Sequence, residues 1–144
     1  MLAVDTNVLV YAFFEDSPFH EPARAAIAEL AQSPAAWAIP WPCVHEFYAV
    51  VTNPKIFADP ELPARARAQL GAWLDSPSLQ LLAETREHWA QLDALLESSH
   101  AVGPTVHDAR IAVLCLTHGV SQLLTMDRDF SRFPALKTRS ILAR

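Results

Sequence analysis

The 144-residue sequence predicts an α/β protein, a three-layer α/β/α sandwich around a mainly parallel central sheet. Two observations predict it. Short apolar runs of strand length alternate with longer stretches whose apolar residues recur at helical spacing. The segments between consecutive strands are also long enough to hold helices, as parallel neighbours require.

Taken in order, Leu2-Ala3-Val4 is the first expected strand. It ends at Asp5-Thr6-Asn7, three residue types that favour helix starts, and the apolar run Val8 to Phe14 continues as a helix. Pro18 to Leu30 carries apolar residues at helical spacing and stops before Ser33-Pro34, after which Trp37-Ala38-Ile39 fits a second strand. A helix from Pro42 to about Thr52 is ended by Asn53-Pro54. A polar loop with Pro60 and Pro63 then leads into a helix over Ala64 to Leu74, and Ser78 to Leu82 fits a third strand. Thr85 to Ser98 and Thr105 to His118 are further helical stretches, Gln122 to Thr125 is a fourth strand, and Ser140-Ile141-Leu142 is a short fifth. Repeats, low-complexity tracts and linkers are absent from this pattern, so residues 1–144 are expected to form one domain.

Composition narrows the class. With 51% apolar residues the chain can bury one sizeable core. Its apolar stretches are interrupted by Glu15, Asp16, His45 and Glu46 before reaching the roughly 20 residues of a membrane span, and no basic, cleavable leader is evident, so a soluble cytoplasmic protein is expected. Cys43 and Cys115 form no CxxC pair and read as buried free thiols. The formal charge of −5 argues against binding nucleic acid through a broadly basic face. From Asp108 onward, however, the only acids are Asp108, Asp127 and Asp129, against Arg110, Arg128, Arg132, Lys137, Arg139 and Arg144. With those acids neutralised by a cation, this segment of the chain becomes locally basic.

In open parallel sheets, ligand sites form beyond the carboxyl ends of the strands. Asp5 falls just past the first strand and Asp127 just past the fourth. Each would also serve as a simple helix cap. Asp108 is sharper. Thr105-x-x-Asp108 resembles a capping box, yet at 100° per residue Asp108 shares its face with Ile111, Ala112 and Cys115, where a carboxylate needs a partner or a proton. Glu46 borders an apolar arc formed by Cys43, Val44, Phe47, Tyr48, Val50 and Val51, on a helix entered from the second strand. Four carboxylates converging to about 5 Å would repel by roughly 3 kcal/mol per pair at an effective dielectric of about 20. The six pairs then sum to roughly 20 kcal/mol, above the about 5–15 kcal/mol stability of a whole domain. Such a cluster calls for protonation, an arginine or a divalent cation, and oxygen-only donors favour Mg²⁺ or Mn²⁺ over zinc.

Together these segments resemble the PIN-domain ribonucleases, with the VapC-type toxins of prokaryotic toxin–antitoxin pairs the nearest type. The resemblance is carried by Asp5-Thr6-Asn7 after an apolar strand, by Glu46 in Val44-His45-Glu46-Phe47, by His107-Asp108-Ala109-Arg110-Ile111-Ala112, and by Thr125-Met126-Asp127-Arg128-Asp129-Phe130. Each motif is short, but all four in this order span nearly the whole chain. The resemblance implies Mg²⁺- or Mn²⁺-dependent endonucleolytic cleavage of RNA, homodimerisation and inhibition by a cognate antitoxin. It also implies Asp5, Asp108 and Asp127 as metal ligands, Glu46 as the fourth catalytic acid, an auxiliary role for Asp129, and hydrogen bonds to the acids from Thr6, Asn7 and Thr125.

Other readings fit the residues less well. A haloacid-dehalogenase-type phosphotransferase needs a second aspartate where Asn7 stands, and Gly71, Gly103 and Gly119 form no phosphate-cradling loop. A metal-independent ribonuclease would draw on the six histidines, of which His107 and His118 are expected to point away from the core. A PIN-fold module that grips RNA or protein without cutting keeps the fold and drops the chemistry.

Overall fold

In the computed structural model, residues 1–143 are described. Arg144, counted above with the basic residues, lies outside them. Five parallel strands form one sheet in the order β3-β2-β1-β4-β5: β1 (Leu2–Val4), β2 (Trp37–Pro40), β3 (Leu79–Leu82), β4 (Gln122–Leu124) and β5 (Thr138–Arg139). Between them lie α1 (Thr6–Phe13) and α2 (His20–Gln32), α3 (Trp41–Val51) and α4 (Leu62–Leu74), then α5 (His88–Ser99) and α6 (Thr105–Thr117). The chain steps outward from β1 to β2 to β3, then crosses back to β4 on the other side of β1. Right-handed crossovers in opposite directions place the two helix sets on opposite faces, giving the expected three layers. The helix contacts agree, since α1 packs on α2 and α3, α3 on α4, and α5 on α6.

The central strands are buried on both faces, which is why Ala3, Val4, Trp37, Ala38, Ile39, Leu123 and Leu124 read as unbroken apolar runs. Phe47, fully buried on α3, meets Phe13 edge-on at 5.4 Å and Trp73 at 5.2 Å between ring centroids, tying α1, α3 and α4 together. Of the other large aromatics, Trp37 is core, whereas Trp89 is 66% exposed. Cys43 and Cys115 are free and buried, as expected. Gly119, at φ +72°, turns the chain out of α6 toward β4.

Three local expectations are corrected. The fifth strand is Thr138–Arg139, not Ser140-Ile141-Leu142. Leu123 N–H donates to Lys137 O and Thr125 N–H to Arg139 O, while the Ser140 hydroxyl accepts from Leu142 N–H and bends that segment into a turn. Pro63 belongs to the first turn of α4, where its missing N–H has no intrahelical partner to lose, so it starts a helix instead of extending a loop. The fifth helix begins at His88, after a turn closed by His88 N–H to Thr85 O.

Candidate active site

The strand order reverses between β1 and β4, and the acids gather at the carboxyl edge of that pair. Asp5 directly follows β1 and is buried. Its backbone N–H extends the ladder to Leu124 O at 3.0 Å, and its Oδ1 caps α1 by accepting from Thr6 N–H at 2.8 Å. The other oxygen, Oδ2, accepts from the Thr125 hydroxyl at 2.7 Å and from Asn7 Nδ2 at 3.2 Å. From below, the Cys43 thiol approaches Oδ1 at 3.7 Å. The cap and the site thus share one side chain.

Glu46, half-buried on α3, accepts from the Thr6 hydroxyl at 2.8 Å. Thr6 therefore joins the start of α1 to α3. Asp108 sits in the first turn of α6, which begins without a side-chain cap, so the capping-box reading does not hold. Residues Ala109 and Ile111 to Cys115 are all buried, and Asp108 is the charged residue at the open end of this apolar helix. Arg110 leaves the acids alone and pairs with Glu84 beyond β3, Nε to Oε1 at 2.6 Å. Asp127 caps the 3-10 turn Arg128–Arg132, its Oδ1 accepting from Asp129 N–H at 2.8 Å.

Asp5, Glu46, Asp108 and Asp127 line one cleft of about 260 Å³, together with Thr6, Asn7, Val10, Tyr11 and Val50. Among the described residues its lining includes no histidine. His118 instead uses Nε2 on Ala83 O at 2.9 Å, and His20 uses Nδ1 on Tyr11 O at 3.0 Å. A larger hollow of about 600 Å³ between α1, α2 and α4 is lined largely by alanines, Phe13, Ile27 and Trp73. Concentrated carboxylate, not size, makes the smaller cleft the candidate chemical site.

The tightest grouping is not the one that the sequence motifs imply. Carboxylate oxygens of Asp108, Asp127 and Asp129 lie within 4.8 Å of one another, whereas Asp5 faces the same cleft outside this trio. Asp129, to which the resemblance gave only an auxiliary role, is carried in by the turn that Asp127 caps. An Asp-x-Asp just past a strand, followed by aromatic Phe130, is the signal that could have promoted it.

Electrostatics accord with crowding. Burial pushes the Asp5 carboxyl up to about 6, against the opposing hydrogen bonds from Thr125 and Thr6, with Glu46 and Asp108 adding repulsion. Asp108 is likewise raised, by desolvation first and then by the charges of Asp127, Glu46 and Asp129. Burial and the nearby Asp5 charge push the Cys43 thiol well up, and the Cys115 thiol rises to about 12, so neither is a ready nucleophile. The trio offers oxygen ligands alone, from three carboxylates in reach of one ion. That donor set fits a hard divalent cation and lacks the nitrogen or sulfur that zinc favours.

Residues 2–136 match the family profile described as PIN domain. The chain belongs to the PIN-domain family. Within it, this PIN domain is 33% identical over 139 residues to a VapC ribonuclease of Mycobacterium bovis and to ribonuclease VapC43 of Mycobacterium tuberculosis, covering 96% of this chain and 94% of each relative. Its fold is similar to that of a chain in the crystal structure of VapBC2 from Rickettsia felis, solved bound to a DNA fragment from its promoter, with a TM-score of 0.71 and 18% identity over 96% of this chain and 97% of that one. The PIN architecture thus has the acid-bearing strand ends at its switch point, as the first and fourth motifs require. No helix among the described residues is long and apolar enough to cross a membrane.

Proposed function

We propose that this chain is a divalent-metal-dependent endoribonuclease, acting as the toxin of a toxin–antitoxin pair, and that residues 1–144 work as one nuclease domain. The observation that carries this reading is the convergence of Asp108, Asp127 and Asp129 beside Asp5 and Glu46 at the switch point of a PIN fold. Its 33% identity to named VapC ribonucleases along nearly the full chain supports the same activity. Mg²⁺ or Mn²⁺ is the expected ion.

In this reading Asp108, Asp127 and Asp129 would hold the cation, with Asp5 in the wall of the same cleft. Glu46 is oriented by Thr6 and accepts a proton from water entering the cleft. The bound ion supplies positive charge against the charge that develops on the phosphodiester, and it makes water more acidic. Val10, Tyr11 and Val50 line the cleft beside the acids. Arg128, Arg132, Lys137 and Arg139, in the segment that follows β4, are exposed and available to RNA phosphates. The partners in this reading are RNA, a second copy of the chain and a cognate antitoxin in the cytoplasm. An antitoxin arginine placed among the acids would offset the same charge that the cation offsets.

Purified chain incubated with labelled RNA tests the reading. Cleavage that requires Mn²⁺ or Mg²⁺, stops with EDTA and leaves 5′-phosphate and 3′-hydroxyl ends is expected. Cyclic phosphate ends that persist in EDTA would overturn it in favour of a histidine mechanism, and RNA binding without cleavage would favour a binding module.

A further inference from the structure

β1 and β4 pair in parallel with Val4 beside Leu124, so the next residues, Asp5 and Thr125, leave the sheet side by side. Thr125 is buried and its hydroxyl is fully committed. Oγ1 accepts from Asp127 N–H at 3.0 Å and from Asn7 Nδ2 at 3.2 Å. Both lone pairs are then occupied, and the single hydroxyl proton is left for Asp5 Oδ2 at 2.7 Å. Asn7 has no freedom to flip, because its Oδ1 accepts from Met126 N–H at 3.1 Å and thereby turns Nδ2 toward Asp5 and Thr125.

These bonds stitch two segments from opposite ends of the chain. One carries Asp5. The other carries Asp127 and, through the bond from Asp129 N–H to Asp127 Oδ1, Asp129 as well. Two carboxylates of the close trio therefore hang from a turn whose first backbone N–H is fixed by Thr125. Repulsion among the acids pushes that turn outward when no cation is bound, and the hydroxyl opposes the push at its root.

We propose that Thr125, braced by Asn7, is a positioning residue that fixes Asp5 and the Asp127–Asp129 turn in one relation and so sets the divalent-cation affinity of the acid cluster. The inference rests on the reading of that cluster as a cation site. Thr125 itself touches neither substrate nor ion. Its action is to preset the spacing of charges that would otherwise spread apart, so that little reorganisation is needed when the cation enters.

Calorimetric titration of the purified chain with Mn²⁺ tests it, alongside thermal melting in EDTA to report folding. Thr125→Val keeps the shape and deletes the hydroxyl, and is expected to weaken Mn²⁺ binding by about 10- to 100-fold, the range typical of groups that orient metal ligands. Thr125→Ser restores the hydroxyl and is expected to stay within about threefold of the wild type. Asn7→Ala, at a half-buried position, keeps the Thr125 hydroxyl but removes its brace together with the Asn7 bonds to Asp5 and Met126, and is expected to weaken binding by a smaller factor, which keeps the test open should the valine variant fail to fold. A purely structural role would lower the melting temperature and leave the Mn²⁺ affinity of folded protein unchanged. Unchanged affinity in a folded Thr125→Val, or in Asn7→Ala if the valine variant does not fold, would overturn this inference alone. A wild-type chain that binds no Mn²⁺ would overturn the proposed function, and this inference with it.

Discussion

Replacing Asp5 by asparagine sets two effects against each other that pH can separate. Burial raises the Asp5 carboxyl from its ordinary 3.8 to about 6. The folded chain therefore holds this proton more tightly than the unfolded chain. The favourable contribution is complete below 3.8 and is lost as the pH rises through about 6. At about 1.36 kcal/mol per pH unit the full swing is about 3 kcal/mol, of which about 2 kcal/mol falls between about pH 4.5 and about pH 8. Asparagine does not titrate, so its stability lacks this slope. Opposing it is a cost independent of pH. In either orientation the carboxamide turns an N–H toward groups that now donate to the carboxylate, whether Thr125 and Asn7 at Oδ2 or Thr6 and Cys43 at Oδ1. Losing such buried bonds costs about 1–3 kcal/mol. Urea unfolding of both proteins in EDTA across that range should show the variant gaining about 2 kcal/mol on the wild type as pH rises, whatever the constant offset. A difference that stays flat within about 0.5 kcal/mol, or that moves the other way, would refute the claim that Asp5 is a strained, desolvated carboxylate.

Two further predictions follow from the same contacts. Asp108→Asn should reduce metal-dependent cleavage of labelled RNA by at least about 100-fold, and its melting temperature in EDTA should be unchanged or higher, since one repelling charge has gone and no cap is lost. Full activity in a destabilised variant would mean that Asp108 serves the helix and not the site. Phe47→Ala should cost about 3–5 kcal/mol in denaturant unfolding, because a fully buried ring wedged between Phe13 and Trp73 leaves a cavity that three helices cannot close together. A loss under about 1 kcal/mol would show that α1, α3 and α4 repack freely.

Much of the fold is written locally. Leu2–Val4, Trp37–Pro40 and Leu79–Leu82 are apolar runs of strand length, and helix-spaced segments between them leave parallel pairing as the natural solution. Errors fall where local signals compete. Ile141 and Leu142 look strand-like, but the Ser140 hydroxyl captures a backbone N–H and the ladder with β4 ends at Arg139. Pro63 looks like a breaker, but a helix's first turn has no use for its missing N–H.

For the site, the sequence by itself determined that the candidate carboxylates stand at strand ends, near a helix start or beside an apolar helix face. Asp5 and Asp127 follow apolar strands, Asp108 opens an apolar helix, and Glu46 borders the apolar arc of α3. Those relations depend on neighbours a few residues away, which periodicity records. Only the tertiary structure decided the rest. The reversal of strand order that opens a crevice between β1 and β4 depends on pairing between segments more than a hundred residues apart. The same pairing sets Thr125 beside Asp5, turns its one hydroxyl proton toward that carboxylate, and brings Asp129 within 4.8 Å of Asp108 and Asp127 while Asp5 stays in the cleft wall. Distance between side chains from different strands is a property of register and packing, and no local pattern encodes it.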